Sequence, residues 1–180
     1  MSPKPHLRLA APLPELVPGG PVEFNELFAR YGGYVARLAA RLLGSDTDVD
    51  DVVQDVFLLA SRRLPTIVDL IQARGWVATV TTRLVARRLR RRRFRRLFMA
   101  SHRGQDVPAP GATPEQRALL RRLYEVLESL PTAERVAWSL RYLEGEPLDI
   151  VAATCRCSLA TAKRRINAAK KVIDEVFGDA

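Results

Sequence analysis

Residues 148–177 read LDIVAATCRCSLATAKRRINAAKKVIDEVF, and this stretch decides the fold. A short apolar run after Pro147 predicts a helix of about eight residues. The tight segment from Cys155 to Cys157 follows, and Ser158 then has the chemistry of a cap for a longer helix. This layout is that of a helix-turn-helix. We expect five apolar residues of the second helix to share a buried face: Leu159, Ala162, Ile166, Ala169 and Ile173.

The opposite face of that second helix is basic. Six basic residues and no acidic residue lie between Asp149 and Asp174. A helix that reads DNA needs such a face, because phosphates orient it and short polar or arginine side chains read base edges. The alternative is an ordinary bundle helix with a solvated basic face. The outer residues are Thr161, Lys163, Arg164, Arg165 and Lys170.

The charge of the whole chain is unevenly placed. The 180 residues carry a net charge of +9, yet eleven arginines and no acidic residue lie between Asp69 and Asp106. Without those arginines the chain has 18 basic against 20 acidic side chains, a net charge of −2. The protein is therefore near neutral with one cationic segment, which indicates a polyanionic partner. The alternative is a nonspecific polybasic run. A membrane role is disfavoured because no apolar wedge accompanies the arginines.

The rest of the chain is helical by its apolar spacing, and no run alternates with period two. We predict an all-α protein of two small helical domains joined by a flexible linker. Residues 65–74 are predicted to be a loop. Thr113 to Gln116 has the pattern of a capping box with proline at the first helical position. The predicted segments are a Pro-rich disordered tail (1–22), a first domain (23–98), a linker (99–113) and a second domain (114–177). Within the first domain, the first helix is predicted to end at Gly44 and the last helix to start near Gly75.

Acidic residues cluster at the start of the second predicted helix. Residues 48–57 read DVDDVVQDVF, and the helix dipole favours carboxylates in that position. The ligand pattern of a calcium loop is absent. The cluster is therefore interpreted either as capping and solvation or as a docking face for a basic protein.

Several classes of function are excluded by what the sequence lacks. No apolar run approaches the roughly 18–20 residues that span a bilayer, so membrane insertion is not expected. The N-terminus lacks the apolar stretch of a signal peptide, and two cysteines fit a reducing cytoplasm. Cys155 and Cys157 have no second ligand pair, so no metal site is expected. No nucleophile–base pair or phosphate-binding glycine loop is present, so an enzyme is not expected.

These residues together resemble the extracytoplasmic-function (ECF) group of sigma-70 family RNA polymerase sigma factors. The octapeptide DDVVQDVF at 50–57 is similar to the family signature E-D-(L/V)-V-Q-(E/D)-V-F of region 2. Trp76-Val77, opening an arginine-rich helix, resembles the helix for the promoter −10 element. RYLEG at 141–145 and the helix-turn-helix resemble region 4. The resemblance covers residues 23–177.

The resemblance implies a transcription initiation factor without a cofactor, acting in the cytoplasm at the nucleoid. Its partners would be promoter DNA, the clamp of the largest subunit and the flap of the second subunit of core RNA polymerase, and an anti-sigma factor. The linker would thread along the polymerase. The implied polymerase-docking residues are Asp50, Asp51, Gln54 and Asp55. The implied −10 contacts are Arg74, Trp76, Thr79, Arg83, Arg87, Arg90 and Arg91. The implied −35 contacts are Ser158, Thr161, Lys163, Arg164 and Arg165.

Four positions depart from the family pattern, and two other functions stay open. Ala78 stands where many relatives have an aromatic residue, Arg83 where many have asparagine, and Ala160 where glycine is frequent. Arg156 stands where such a turn often has glycine, which predicts strain of roughly 1 kcal/mol and a rearranged turn. A stand-alone helix-turn-helix regulator would bind an operator with half-sites about 34 Å apart. An arginine-rich adaptor for RNA would prefer structured RNA.

Overall fold

The fold is entirely helical over the residues described by the computed structural model, 23–63, 70–98 and 111–178. Within these ranges the all-α prediction is confirmed. The predicted tail, residues 99–110 of the predicted linker and residues 64–69 lie outside them. The helices are α1 (Phe24–Leu43), α2 (Val49–Arg63), α3 (Leu70–Phe98), α4 (Pro114–Ser129), α5 (Thr132–Tyr142), α6 (Leu148–Thr154) and α7 (Leu159–Phe177).

The first three helices form one bundle. Apolar residues of α1 at three- and four-residue steps face α2 and α3, and Leu27, Val35 and Leu38 are fully buried there. The helix ends where Gly44 adopts a left-handed conformation with φ 68°, and its N–H donates to the carbonyl of Ala40. The predicted end of α1 is therefore confirmed.

Helix α3 begins earlier than the sequence predicts. Residues Leu70–Arg74 were expected in a loop, and the structure places them in the helix. Glycine inside a helix costs about 1 kcal/mol relative to alanine. The sequence therefore predicted that the helix begins at Gly75 rather than before it. Ala73 and Val77 flank that glycine and are fully buried, so tertiary packing carries the helix through it.

Helices α4 to α7 form the second bundle. Its start is the predicted capping box: the Thr113 hydroxyl accepts from the Gln116 N–H at 3.3 Å, and the Gln116 side chain accepts from the Thr113 N–H at 3.0 Å. Helix α7 packs on α5 and on α6. The short α6 and the long α7 form the predicted helix-turn-helix.

The turn between α6 and α7 is not rearranged, so that expectation was wrong. Arg156 adopts the left-handed conformation itself, with φ 51°. Its N–H donates to the Ala153 carbonyl at 3.1 Å, and the Cys157 N–H donates to the Ala152 carbonyl at 3.0 Å. These two bonds are the pattern that usually ends a helix at glycine. They hold the turn despite a conformational cost of about 1–2 kcal/mol for arginine.

The two bundles touch through a polar contact at the C-terminal end of α1. Arg135 of α5 is only 3% exposed, and its guanidinium donates to the carbonyls of Leu42 at 3.0 Å and Leu43 at 2.8 Å. The Tyr124 hydroxyl donates to the carbonyl of Arg41 at 2.8 Å. The last carbonyls of a helix lack intrahelical hydrogen-bond donors, and here side chains of the second bundle supply the donors. We call these residues the interdomain contact.

Candidate nucleic-acid interface

One face of α3 presents a line of cations. Arg83, Arg87, Arg90 and Arg91 are all exposed, and their spacing of three and four residues places them on one side of the helix. We call these four residues the arginine stripe. It spans about 12 Å of helix axis at 1.5 Å per residue. Such a line can lie along several consecutive phosphates of a nucleic acid.

The three other predicted −10 residues lie at the N-terminal side of the stripe and have protein partners. The guanidinium of Arg74 lies 3.7 Å from a carboxylate oxygen of Glu146 and 5.8 Å from the ring centre of Tyr34. The Thr79 hydroxyl donates to the Gly75 carbonyl at 2.8 Å. Trp76 is partly buried against the core of the first bundle. Contacts within the protein therefore already engage Arg74 and the Thr79 hydroxyl proton.

Two further arginines of α3 bind α2 and the turn that precedes it. Arg88 donates to the carboxylate of Asp55 at 2.7 Å. Arg92 donates through Nε to Asp48 at 3.1 Å and through a terminal nitrogen to the hydroxyl of Ser45 at 3.3 Å. We call these contacts the arginine–aspartate pairs. The sequence shows both charge clusters, but their pairing depends on how α3 packs against α2, which no local pattern reveals.

The predicted docking residues form an acidic edge on α2. Asp50, Asp51 and Gln54 are exposed, whereas Asp55 is partly buried in its ion pair with Arg88. The structure thus brings three of the four side chains to the surface together. Within the described ranges no three His, Cys, Asp or Glu side chains form a group that could hold a metal ion.

The start of α7 combines a cap with an exposed basic surface. The Ser158 hydroxyl oxygen accepts from the Thr161 N–H at 3.2 Å, and the two hydroxyl groups are hydrogen-bonded at 3.0 Å. Lys163 and Arg164 are exposed and Arg165 is partly buried. A first turn without acidic side chains leaves the positive end of the helix dipole uncompensated by carboxylates, which favours an anion.

One predicted core residue of α7 is outside the core. Ala162, Ile166, Ala169 and Ile173 are buried as expected, but Leu159 is 53% exposed. The helical period is kept, yet the packed core ends at Ala162, so the first turn projects beyond it. Burial was therefore the wrong prediction for Leu159.

One cysteine of the turn between α6 and α7, Cys155, has a raised thiol pKa. Burial raises the pKa of the Cys155 thiol to about 11, and the neighbouring Cys157 adds to the increase. Because the thiolate is the form that attacks or binds metal, Cys155 is unreactive at neutral pH. None of the helices in the described residues is both long and apolar enough to cross a membrane.

Comparison with known proteins identifies both bundles. The family model for Sigma-70 region 2 matches residues 27–95, and the model for Sigma-70, region 4 matches residues 120–173. The matches coincide with the bundle carrying the arginine stripe and the bundle carrying the helix-turn-helix.

Individual relatives agree with the family models. The chain is 32% identical over 165 residues to the ECF RNA polymerase sigma-E factor of Escherichia coli K12, covering 84% of each chain. It is 31% identical over 148 residues to the ECF sigma factor SigE of Mycolicibacterium smegmatis, covering 80% of this chain but 57% of the relative.

Solved structures share the fold. The sigma factor RpoE of Bartonella quintana, solved in complex with the anti-sigma factor NepR, has a TM-score of 0.63 at 20% identity and covers 86% of this chain and 96% of its own. CnrH, solved with the cytosolic domain of CnrY, has a TM-score of 0.59 at 24% identity and covers 87% and 88%. The chain belongs to the ECF group of the sigma-70 family, the non-enzymatic factors that direct RNA polymerase to promoters.

Proposed function

We propose that this chain binds core RNA polymerase through the acidic edge of α2 and places it at promoters through α3 and α7. The observation that carries the proposal is the division of charge between α2 and α3 of the first bundle, which meet in a groove lined by Asp51, Arg87 and Arg91. Exposed carboxylates lie on α2 and exposed guanidinium groups on α3, so one bundle can hold a basic protein surface and DNA at once.

The arginine stripe is assigned to the −10 region of the promoter. Neutralising phosphates supplies affinity without sequence information. Opening the duplex costs roughly 1–2 kcal/mol per base-pair step, and a flipped base must be held by stacking or a pocket. Trp76 lies on α3 seven residues before the first arginine of the stripe, and we assign to it the stacking part.

Polymerase docking is assigned to Asp50, Asp51 and Gln54, with Asp55 behind them. The exposed residues can meet basic groups on the clamp of the largest subunit directly. Asp55 acts partly through its pair with Arg88, which orients that carboxylate. An anti-sigma factor that covered this edge would compete with the polymerase in the cytoplasm.

The −35 element is assigned to the first turns of α7. N-terminal residues of a recognition helix meet base edges in the major groove, so Thr161, Arg164 and Arg165 are assigned to bases. Lys163 is assigned to phosphate. Ser158 holds the turn through its bond to Thr161 and can donate to DNA only by rearranging that pair.

The test is run-off transcription with core polymerase on genomic fragments, combined with a pull-down of core. We expect Asp51→Arg to abolish core binding and transcription while far-ultraviolet circular dichroism stays unchanged. Glu125→Arg is the matched control, because Glu125 is an exposed acid on α4, away from the acidic edge. Core binding by Asp51→Arg as tight as that of the control would refute the docking assignment.

A further inference from the structure

An exposed aromatic ring, Phe94, lies near the C-terminal end of α3. The residue is 63% exposed, more than any other large apolar residue in the described ranges. Arginines flank it on both sides, and no acidic residue lies between Asp69 and Asp106. A single exposed apolar residue is ordinary on a protein surface, so exposure alone assigns no role to this ring. Its position on the helix gives the stronger argument.

Phe94 lies on the same face of α3 as the arginine stripe. It follows Arg90 by four residues and Arg91 by three, and these are the spacings of neighbours on a helix surface. The ring therefore continues the stripe by one turn, to about 17 Å of helix axis from Arg83. One face of the helix thus presents four guanidinium groups followed by an aromatic ring.

Two aromatic residues of α3 stand on either side of the arginine stripe. Trp76 precedes Phe94 by 18 residues, which correspond to about five complete helical turns. The two residues therefore share one side of α3 and are about 27 Å apart along its axis. The proposed function assigns a stacking role to Trp76 and leaves Phe94 without a role.

The part of α3 that carries Phe94 is fixed to the first bundle. Arg92 binds Asp48 and Ser45 in the turn before α2. Leu89, on the preceding turn of α3, is 4% exposed and anchors the inner side of the helix. The backbone beneath the ring is therefore already ordered before a ligand binds, which reduces the entropic cost of binding.

A row of guanidinium groups beside an aromatic ring has the chemistry of a site for single-stranded nucleic acid. The cations neutralise consecutive phosphates, and the ring offers a face on which an unpaired base can stack. A base inside a duplex is already stacked on both sides, so it cannot use the ring. A membrane surface is a poorer match, because its binding strength scales with buried apolar area and one ring among arginines offers little.

We propose that Phe94 is a second base-stacking residue of α3 and that its ligand is an unpaired base of promoter DNA. The identity of the strand rests on the proposed function, whereas the stacking itself does not. When a duplex opens, its bases lose their stacking partners. The ring replaces one such partner at the C-terminal end of the stripe, while the arginines hold phosphates of the same strand.

The direct test measures binding of a short DNA strand by the full chain without polymerase. The probe is a fluorescein-labelled strand of about twelve thymidine nucleotides, followed by fluorescence anisotropy at low salt. Phe94→Leu keeps an apolar side chain but removes the aromatic face, so it should weaken binding by about 5- to 150-fold. Phe94→Trp keeps an aromatic face and should bind at least as tightly as the parent chain.

The dependence on salt separates stacking from charge. Arg91→Gln removes one cation of the stripe, so the slope of log affinity against log salt should decrease by about 0.7. Phe94→Leu should leave that slope unchanged, because a ring releases no counterion. Phe28→Leu, at an exposed phenylalanine of α1, is the matched control and should change neither affinity nor slope. Binding of a duplex of the same length should be insensitive to Phe94→Leu.

The outcomes separate this inference from the proposed function. Equal affinity of Phe94→Leu and the parent chain for the single strand would overturn the stacking role, as would failure of the parent chain to bind the strand at low salt. Preference for a uridine RNA strand by more than about tenfold would overturn the assignment to promoter DNA. Failure to bind core polymerase in a parallel pull-down would refute the proposed function, whereas the strand measurements still decide the role of Phe94.

Discussion

Arg135→Met is the sharpest test of how the two bundles are joined. The guanidinium makes two hydrogen bonds to carbonyls at the end of α1, and the side chain is almost fully buried. Bonds from a charged donor contribute about 1.5–3 kcal/mol each, so their sum is about 3–6 kcal/mol. Water can reach the carbonyls once the bundles part, which limits the measured loss. We expect a loss of about 3 kcal/mol, a large part of the stability of a domain.

The assay uses the two tryptophans as separate reporters. Trp76 lies in the first bundle and Trp138 in the second. Single-tryptophan versions, Trp138→Phe and Trp76→Phe, therefore follow the unfolding of one bundle each in urea. In the parent chain the two transitions should coincide. In Arg135→Met they should separate, with at least one midpoint lower by about 1–2 M urea.

A matched control and a clear refutation are available. Arg141 lies on the same helix but is exposed, and it donates to the Glu146 carbonyl within its own bundle. Arg141→Met should change the free energy of unfolding by less than about 0.5 kcal/mol and leave the transitions together. Coincident transitions with an unchanged midpoint in Arg135→Met would show that the buried arginine does not couple the bundles.

Two further predictions concern backbone strain and pH. Arg156→Gly removes the strain of an arginine in the left-handed conformation and should raise stability by about 0.5–1 kcal/mol in thermal unfolding. Gly145→Ala, at φ 71° with open space around it, should lower stability by about 1 kcal/mol. A loss of stability in Arg156→Gly would contradict the strain at that position. Burial raises the pKa of Tyr34 and of Tyr124 to about 12. The unfolded chain releases these protons near pH 10, so the free energy of unfolding should fall as pH rises from 10 to 12, by up to about 2–3 kcal/mol for each tyrosine. Tyr124→Phe should reduce that slope in urea titrations, and an unchanged slope would refute the assignment.

Features governed by local chemistry could be predicted from the sequence. The left-handed Gly44, the capping box at Thr113 and the Ser158 cap each depend on residues within one turn, and all three are confirmed. The start of α3 and the exposure of Leu159 were predicted wrongly. Both depend on where the packed core ends, which is a property of neighbouring helices rather than of the segment itself.

The site was predictable to the level of helix faces. The sequence placed acids on α2 and arginines on α3, but it could not divide the arginines between solvent and protein. Arg87 and Arg88 are adjacent and chemically identical, yet Arg87 is exposed and Arg88 binds Asp55. The interdomain contact was also beyond the sequence, because Arg135 has no local pattern that marks it as buried. The roles assigned to individual residues stay predictions.

The arginine–aspartate pairs have a mechanical consequence. Arg88 joins α3 to α2 across 33 residues of chain, and Arg92 joins α3 to the turn before α2 across 44 residues, in addition to the apolar core between the helices. A duplex bound by α3 and a polymerase bound by α2 would therefore be connected through two helices that move as one unit. Movement of the DNA as its strands separate would be transmitted to the polymerase, because α2 and α3 would not bend relative to each other.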